Sequence, residues 1–169
     1  RAKNSGELYG RLLGIPWERM IREDDYVTVT ATVSNETIND TRFVNVKAKD
    51  AIVDRIRKKC GRRPDSGPER SKVVIHLYWH GNEVSVFIDT SGEPLAKRGY
   101  RKIPMHAPMQ ETLAACVVYA TAWHASGDFI NPMCGSGTLA IEAALLATGR
   151  APGLTRGNFG FMHLKGFES

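Results

Sequence analysis

The sequence predicts an α/β fold in two parts, and three observations predict it. Three segments alternate apolar and polar residues with the two-residue period of a strand. A basic segment between them has its apolar residues at helical spacing. Further along, a short apolar stretch, a glycine loop and an apolar helix succeed one another without a gap.

Taken in order, Arg1 to Met20 reads as a short helix carrying Leu8, Leu12 and Leu13, then a second short helix opened by Pro16. Tyr26 to Val33 alternates and is rich in β-branched residues, so it is a strand, ended by Ser34-Asn35-Glu36. Arg42 to Lys49 reads as a polar approach to a helix capped by Asp50. That helix runs to about Cys60, with Ile52, Val53, Ile56 and Cys60 on its apolar side and Gly61 as its stop. Pro64, Gly67 and Pro68 make the next stretch a loop. Lys72–Trp79 and Glu83–Asp89 flank Gly81-Asn82 as the two strands of a hairpin. Leu95 to Pro108 is irregular, and the boundary between the two parts falls near Ile103. Pro108 then opens a helix that is apolar nearly all round and therefore buried. Asp128 to Asn131 is a short strand, Pro132 to Gly137 a tight loop, and Thr138 to Ala147 a second apolar helix stopped by Gly149. Arg150 to Ser169 has no clear element.

Composition narrows the function. No apolar run approaches the ~20 residues of a membrane span. The opening Arg1-Ala-Lys-Asn4 lacks the apolar core of a signal peptide, and both ends read as the interior of a longer chain. Three cysteines (Cys60, Cys116, Cys134) form no Cys-x-x-Cys pair, which speaks against a disulfide framework or structural zinc and for a cytoplasmic setting. Net charge is +5, and the basic excess lies in the middle: residues 42–102 hold 15 Lys/Arg against 7 Asp/Glu. Such a block is either a footprint for phosphate or a solvated surface. His76 and His80 share a strand face but have no evident third partner for a metal. Tyr78, Trp79 and Phe87 on the hairpin are core residues or base-stacking ones.

The sharpest feature is Asn131-Pro-Met-Cys-Gly-Ser-Gly-Thr138 between a strand and a helix. Gly135 and Gly137 allow positive φ and let a ligand approach the backbone. In open α/β sheets ligands bind at this edge. The loop is no Walker A motif, since no Gly-Lys-Ser/Thr comes after it, and no Gly-x-Gly-x-x-Gly, since Ala140 stands at the third position. Cys134 reads as a small packing residue rather than a nucleophile, and Glu142 as a capping or solvated one.

This string resembles the first S-adenosylmethionine-binding motif of class I methyltransferases, in the form found in RNA methyltransferases with a THUMP domain. Val46 to Ile56 is similar to the THUMP helix, Asp89 to Arg101 to the segment that joins THUMP to the catalytic domain, and Ala107 to Ala115 to the helix before the first motif. Ala151-Pro-Gly-Leu154 and Asn158-Phe-Gly-Phe161 resemble the stretch on the C-terminal side of that motif in the family. Within the family the pattern is nearest to bacterial 23S rRNA guanine-N2 methyltransferases, often labelled N6-adenine-specific DNA methylases.

The resemblance implies the end of a ferredoxin-like part and the first THUMP strand over 1–40. A THUMP-like α/β RNA-binding domain with its linker would occupy 41–102, and the first part of a Rossmann-like methyltransferase domain 103–169. It implies S-adenosylmethionine as cofactor, with Asn131, Pro132, Cys134, Gly135, Ser136, Gly137, Thr138, Gln110 and Glu111 at its site. It implies RNA, 23S rRNA in particular, as partner, with Lys47, Arg55, Lys58, Lys59, Arg62, Arg63, Arg98 and Arg101 as candidate contacts. For Arg98 and Arg101, packing or ion pairing is an equal alternative. Two departures stand out. The motif ordinarily opens with Asp, where this chain has Asn131. The family's catalytic Asn/Asp-Pro-Pro-Tyr does not occur in the sequence, so it holds no catalytic residues and by itself is expected to be inactive. Methylation of adenine N6 in DNA and a purely RNA-binding role remain the alternatives.

Overall fold

The computed structural model describes residues 1–35, 38, 40–103 and 106–167. Glu36, part of the expected strand end, lies outside them. The chain divides into two compact units, the first made of Arg1–Glu93 with Asn158–Ser169 and the second of Pro94–Gly157.

The first unit is a four-stranded sheet carrying helices on one face. Helix α1 (Ser5–Gly14) is capped by Asn4, whose side-chain oxygen accepts from the Glu7 N–H at 2.9 Å. A single 3-10 turn comes next at Trp17–Arg19. Strand β1 (Tyr26–Ser34), helix α2 (Thr41–Cys60), a two-residue β2 (Asp65–Ser66), and the hairpin β3 (Val73–His80) and β4 (Glu83–Asp89) complete it. The sheet order is β2-β1-β3-β4. β1 runs parallel to β3 with Val27 opposite Val73, and β3 runs antiparallel to β4 with His80 opposite Glu83. The two-residue period sends Val27 and Val29 of β1 and Val73, Ile75, Leu77 and Trp79 of β3 to one side. There they are buried against Leu8, Leu12, Val44, Ala48, Ile52 and Ile56.

Helix α2 starts nine residues before the expected Asp50. Asp40 is its cap, accepting from the Arg42 N–H at 2.8 Å, and Asp50 lies inside the helix. Val44, Ala48 and Ala51 continue the buried stripe of Ile52 and Ile56, so the polar residues between them form the solvent face of a continuing helix. Gly61 closes it at φ +83°.

The second unit holds α3 (Glu111–Ala120) and α4 (Thr138–Ala147). α3 begins at Glu111 rather than Pro108, with Gln110 extended at the cap position. Its expected burial on all sides does not hold: Ala114, Ala115 and Val118 are buried, while Leu113, Val117 and Tyr119 are exposed. Residues 128–131 form no strand. A strand needs a ladder partner, and among the described residues of this unit there is none. The last part of the chain, expected to be featureless, makes 3-10 turns at Pro152–Thr155 and Gly160–His163. The Lys165 N–H donates to the Met20 carbonyl at 2.9 Å and the Phe161 N–H to the Thr90 carbonyl at 3.0 Å, which holds residues 158–167 to the first unit.

Candidate functional site

The glycine loop has the backbone its composition requires. Gly135 and Gly137 sit at φ +52° and +77°. The Gly137 N–H donates to the Cys134 carbonyl at 2.7 Å, closing the turn, and the Gly137 carbonyl accepts the first α4 hydrogen bond from Ile141. Gly137 is thus the N-cap of α4 and offers no capping side chain. The first N–H groups of the helix are left to point at whatever lies ahead of it, which favours an anion or a polar ligand.

A cavity of about 210 Å³ lies in front of the loop. Met133, Cys134, Gly135, Ser136 and Thr138 wall one side, and His106 to Met109 the other. A side chain at Gly135 would project into open space, so the backbone there is bare toward the cavity. Ala107, in the opposite wall, is held at φ +49°, a costly conformation of the kind that gathers at ligand sites. Asn131 Nδ2 is buried without a hydrogen-bond partner among the described residues. Asn131 does not line the cavity, so the fit to a polar ligand rests on the bare backbone of Gly135 and on the Ser136 and Thr138 hydroxyls.

Behind the loop lies an ionic cluster. Arg98 directs its guanidinium to Glu142 and its backbone N–H to Glu111, and Tyr100 donates to Glu142 at 2.7 Å. Arg101 Nη2 donates to the Met109 carbonyl at 2.9 Å and to Thr138 Oγ1 at 3.1 Å, with Glu111 at 3.9 Å. Thr138 in turn shares a 3.0 Å contact with Ser136. One segment, residues 98–101, therefore ties α3, α4 and the loop's last hydroxyl together. Burial pushes the Tyr100 phenol up, and its bond to Glu142 adds to the effect.

The structure brings Pro132, Cys134, Gly135, Ser136, Gly137 and Thr138 together around the loop, with Asn131 at its entrance. Gln110 is exposed at the cap of α3. Glu111 is buried and turned to Arg98 and Arg101 rather than to the cavity. Glu142, expected as a capping or solvated residue, is buried as well and bonded to Arg98 and Tyr100. Tyr100, His106 and Met109 were not singled out in the sequence. They lie in an irregular stretch with no periodicity to mark them.

Of the basic candidates, Lys58, Lys59, Arg62 and Arg63 are exposed at the end of α2, Arg63 pairing with Asp50 at 3.1 Å. Lys47 lies over the Tyr9 ring, 5.0 Å from its centroid. Arg55 is half-buried and forks onto Glu18 at 2.7 and 3.0 Å. That fork holds the Glu18 carboxyl down at about 2. Arg98 and Arg101 are engaged with Glu142, Glu111 and Thr138 inside the second unit, which is the packing alternative. His76 contacts Thr30 Oγ1 at 2.9 Å. Among the described residues no helix is long and apolar enough to cross a membrane.

Comparison with known proteins finds two family matches in succession along the chain. The THUMP domain family matches residues 2–89, and the RMKL-like methyltransferase domain family matches 98–168. The ribosomal RNA large subunit methyltransferase K/L of Magnetococcus marinus is 45% identical over 163 residues, and that of Syntrophotalea carbinolica 37% over 164. These alignments take in 94% and 95% of this chain but 23% of each relative. Among solved structures, a predicted N6-adenine-specific DNA methylase from Listeria monocytogenes superposes with a TM-score of 0.78 at 35% identity, over 96% of this chain and 43% of its own. SMU.472, solved as a complex with SAH, superposes at 0.77 and 29%, over 99% of this chain and 44% of its own. The chain belongs to the THUMP-domain family, with an RMKL-like methyltransferase domain after the THUMP part.

Proposed function

We propose that this chain is the RNA-gripping and cofactor-loop portion of a cytoplasmic methyltransferase that moves a methyl group from S-adenosylmethionine to a guanine N2 of 23S rRNA. The observation that carries the reading is the positive-φ glycine loop of Gly135 and Gly137, with Gly135 bare against a cavity at the start of α4. The names of the two ribosomal RNA relatives and the SAH complex of SMU.472 supply substrate and cofactor by similarity. Asn131, Gly135, Ser136, Gly137 and Thr138 would hold the cofactor, whose sulfonium-bound methyl is the group transferred. The N–H groups ahead of α4 would meet its negative end. The exposed cations at the end of α2 would bind phosphate, positioning the RNA without reading its sequence.

Incubating the whole parent protein with labelled methyl donor and undermodified ribosomal RNA, then analysing nucleosides by mass spectrometry, tests this. Labelled N2-methylguanosine is expected. Labelled N6-methyldeoxyadenosine when unmethylated DNA replaces the RNA in a parallel incubation would instead favour the activity in the Listeria protein's name. Without Asn/Asp-Pro-Pro-Tyr in its sequence, the 169-residue chain transfers no methyl group in the same assay. Turnover by it would overturn the assignment of catalysis to that motif.

A further inference from the structure

A second cavity, of about 300 Å³, lies in the first unit, away from Lys58, Lys59, Arg62 and Arg63 at the end of α2. The N-terminal half of α2 forms one wall with Arg42, Asn45, Val46 and Lys49, and the turn at Ser66 and Pro68 forms the other. Three features of this groove belong together. Arg42 is exposed and makes no ion pair among the described residues, and Lys49 is paired only with its chain neighbour Asp50 at 3.2 Å, which Arg63 also neutralises at 3.1 Å. Val46 offers an exposed apolar surface between the two cations, with Phe43 exposed on the same stretch of α2. Asn45 Oδ1, by contrast, is buried and accepts no hydrogen bond from any described residue. A buried acceptor left unmet costs about 1–3 kcal/mol, and Asn45 is one of the residues that line the groove.

Cations at the rim, an apolar patch and an unmet acceptor in the wall are the complement of a nucleotide: phosphate, base face, and an amine or hydroxyl donor. Neither a solvated helix face nor a phosphate footprint alone calls for the buried acceptor. The groove is also where the sheet is open. β2 covers only Tyr26 and Val27 of β1, so the remainder of that edge has no strand partner among the described residues. Gly67 keeps the turn pressed against the Tyr26 ring, where a side chain at 67 would collide. The mouth of the groove is therefore held by packing.

We infer that the groove between Arg42, Asn45, Lys49 and the turn at Ser66–Pro68 is a binding site for one nucleotide of a single-stranded RNA segment. The inference rests on the RNA reading proposed for the chain and adds a specific site to it. Arg42 and Lys49 hold the flanking phosphates, and Asn45 accepts from the nucleotide's amine or hydroxyl.

The test is fluorescence anisotropy of the 169-residue chain with a fluorescein-labelled 12-nucleotide single-stranded RNA of mixed sequence, across a salt series. Arg42→Ala is expected to weaken binding roughly three- to tenfold and to flatten the salt dependence by about 0.7 in log–log slope, the loss of one single-strand phosphate contact. Asn45→Leu, similar in volume, is expected to weaken binding with the slope unchanged. The differing slopes separate the two roles from general unfolding, which removes both together. RNA binding that persists with unaltered affinity and slope in both variants overturns the groove assignment and leaves the RNA reading standing. If those variants bind RNA normally but lose self-association of the chain, the groove belongs to a second copy and the inference is likewise overturned. An unsubstituted chain that binds no RNA at all sinks the RNA reading itself, and this inference with it.

Discussion

Glu142 is nearly as buried as any apolar residue in its unit, yet it accepts from both Arg98 and Tyr100. Removing one member of a buried ion pair strands the other, at a cost of about 3–5 kcal/mol. Glu142→Ala is therefore expected to destabilise the second unit by that order, read by urea denaturation monitored through helical circular dichroism. Glu142→Gln keeps shape and one acceptor and is expected to lose less than half as much. Equal losses in the two variants would mean that packing, not the charged pair, holds the cluster. None of this was legible in the sequence. Glu142 stands one turn into an apolar helix, where a carboxylate ordinarily faces solvent or caps. What reverses that reading is Arg98, 44 residues earlier and without periodicity to announce the pairing. The glycine loop was legible because its requirement is local: Gly135 and Gly137 take positive φ within a single turn.

At the scale of elements, a similar divide separates what short-range pattern reveals from what packing decides. The hairpin was plain from alternation about Gly81-Asn82, and the end of α2 from Gly61. The start of α2 was hidden because Arg42, Asn45, Lys47 and Lys49 mask the stripe of Val44 and Ala48, which matters only once β1 lies beneath it. The Glu18–Arg55 fork joins the 3-10 turn after α1 to this helix. It gives the first unit a definite acid response. The Arg55 bond lowers the Glu18 carboxyl from 4.5 to about 2, so the folded state prefers it ionised. The stabilisation is complete above pH 4.5 and fades as pH falls toward 2. The melting temperature of the Glu18→Gln variant, measured from about pH 6 to about 2, is accordingly expected to lie below that of the unsubstituted chain at the upper end of that range and to converge with it at the acid end. Parallel curves across that window would show that the fork adds nothing to stability.

For the molecule as a whole, the two units differ in how completely they bury their apolar residues, and that difference has a dynamic consequence. The first unit closes a core of Trp17, Trp79, Val27, Ile52, Ile75 and Leu77, each at most 2% exposed. In the second, Leu113, Tyr119, Ile130 and Met133 stand 53%, 67%, 83% and 89% exposed, and no described residue forms a strand. Ten-residue helices are marginal without tertiary support, since nucleation is costly and the stabilising face must be covered. Local opening should therefore cost less in α3 and α4 than in β1 and β3. In native-state hydrogen exchange, amides of Ala114–Val118 and Ala143–Leu146 are expected to be protected about a hundredfold less than those of Val29–Val33 and Val73–Trp79. Low denaturant should leave the helical amides' rates nearly unchanged, because a small local opening exposes little surface, while the strand amides accelerate with the global unfolding slope. Equal protection in both sets, with a common denaturant dependence, would mean that the chain unfolds as one cooperative body. The exposed side chains of α3 would then have to be supported by something other than coverage, and the ion cluster on Glu142 and Glu111 is what remains to do it.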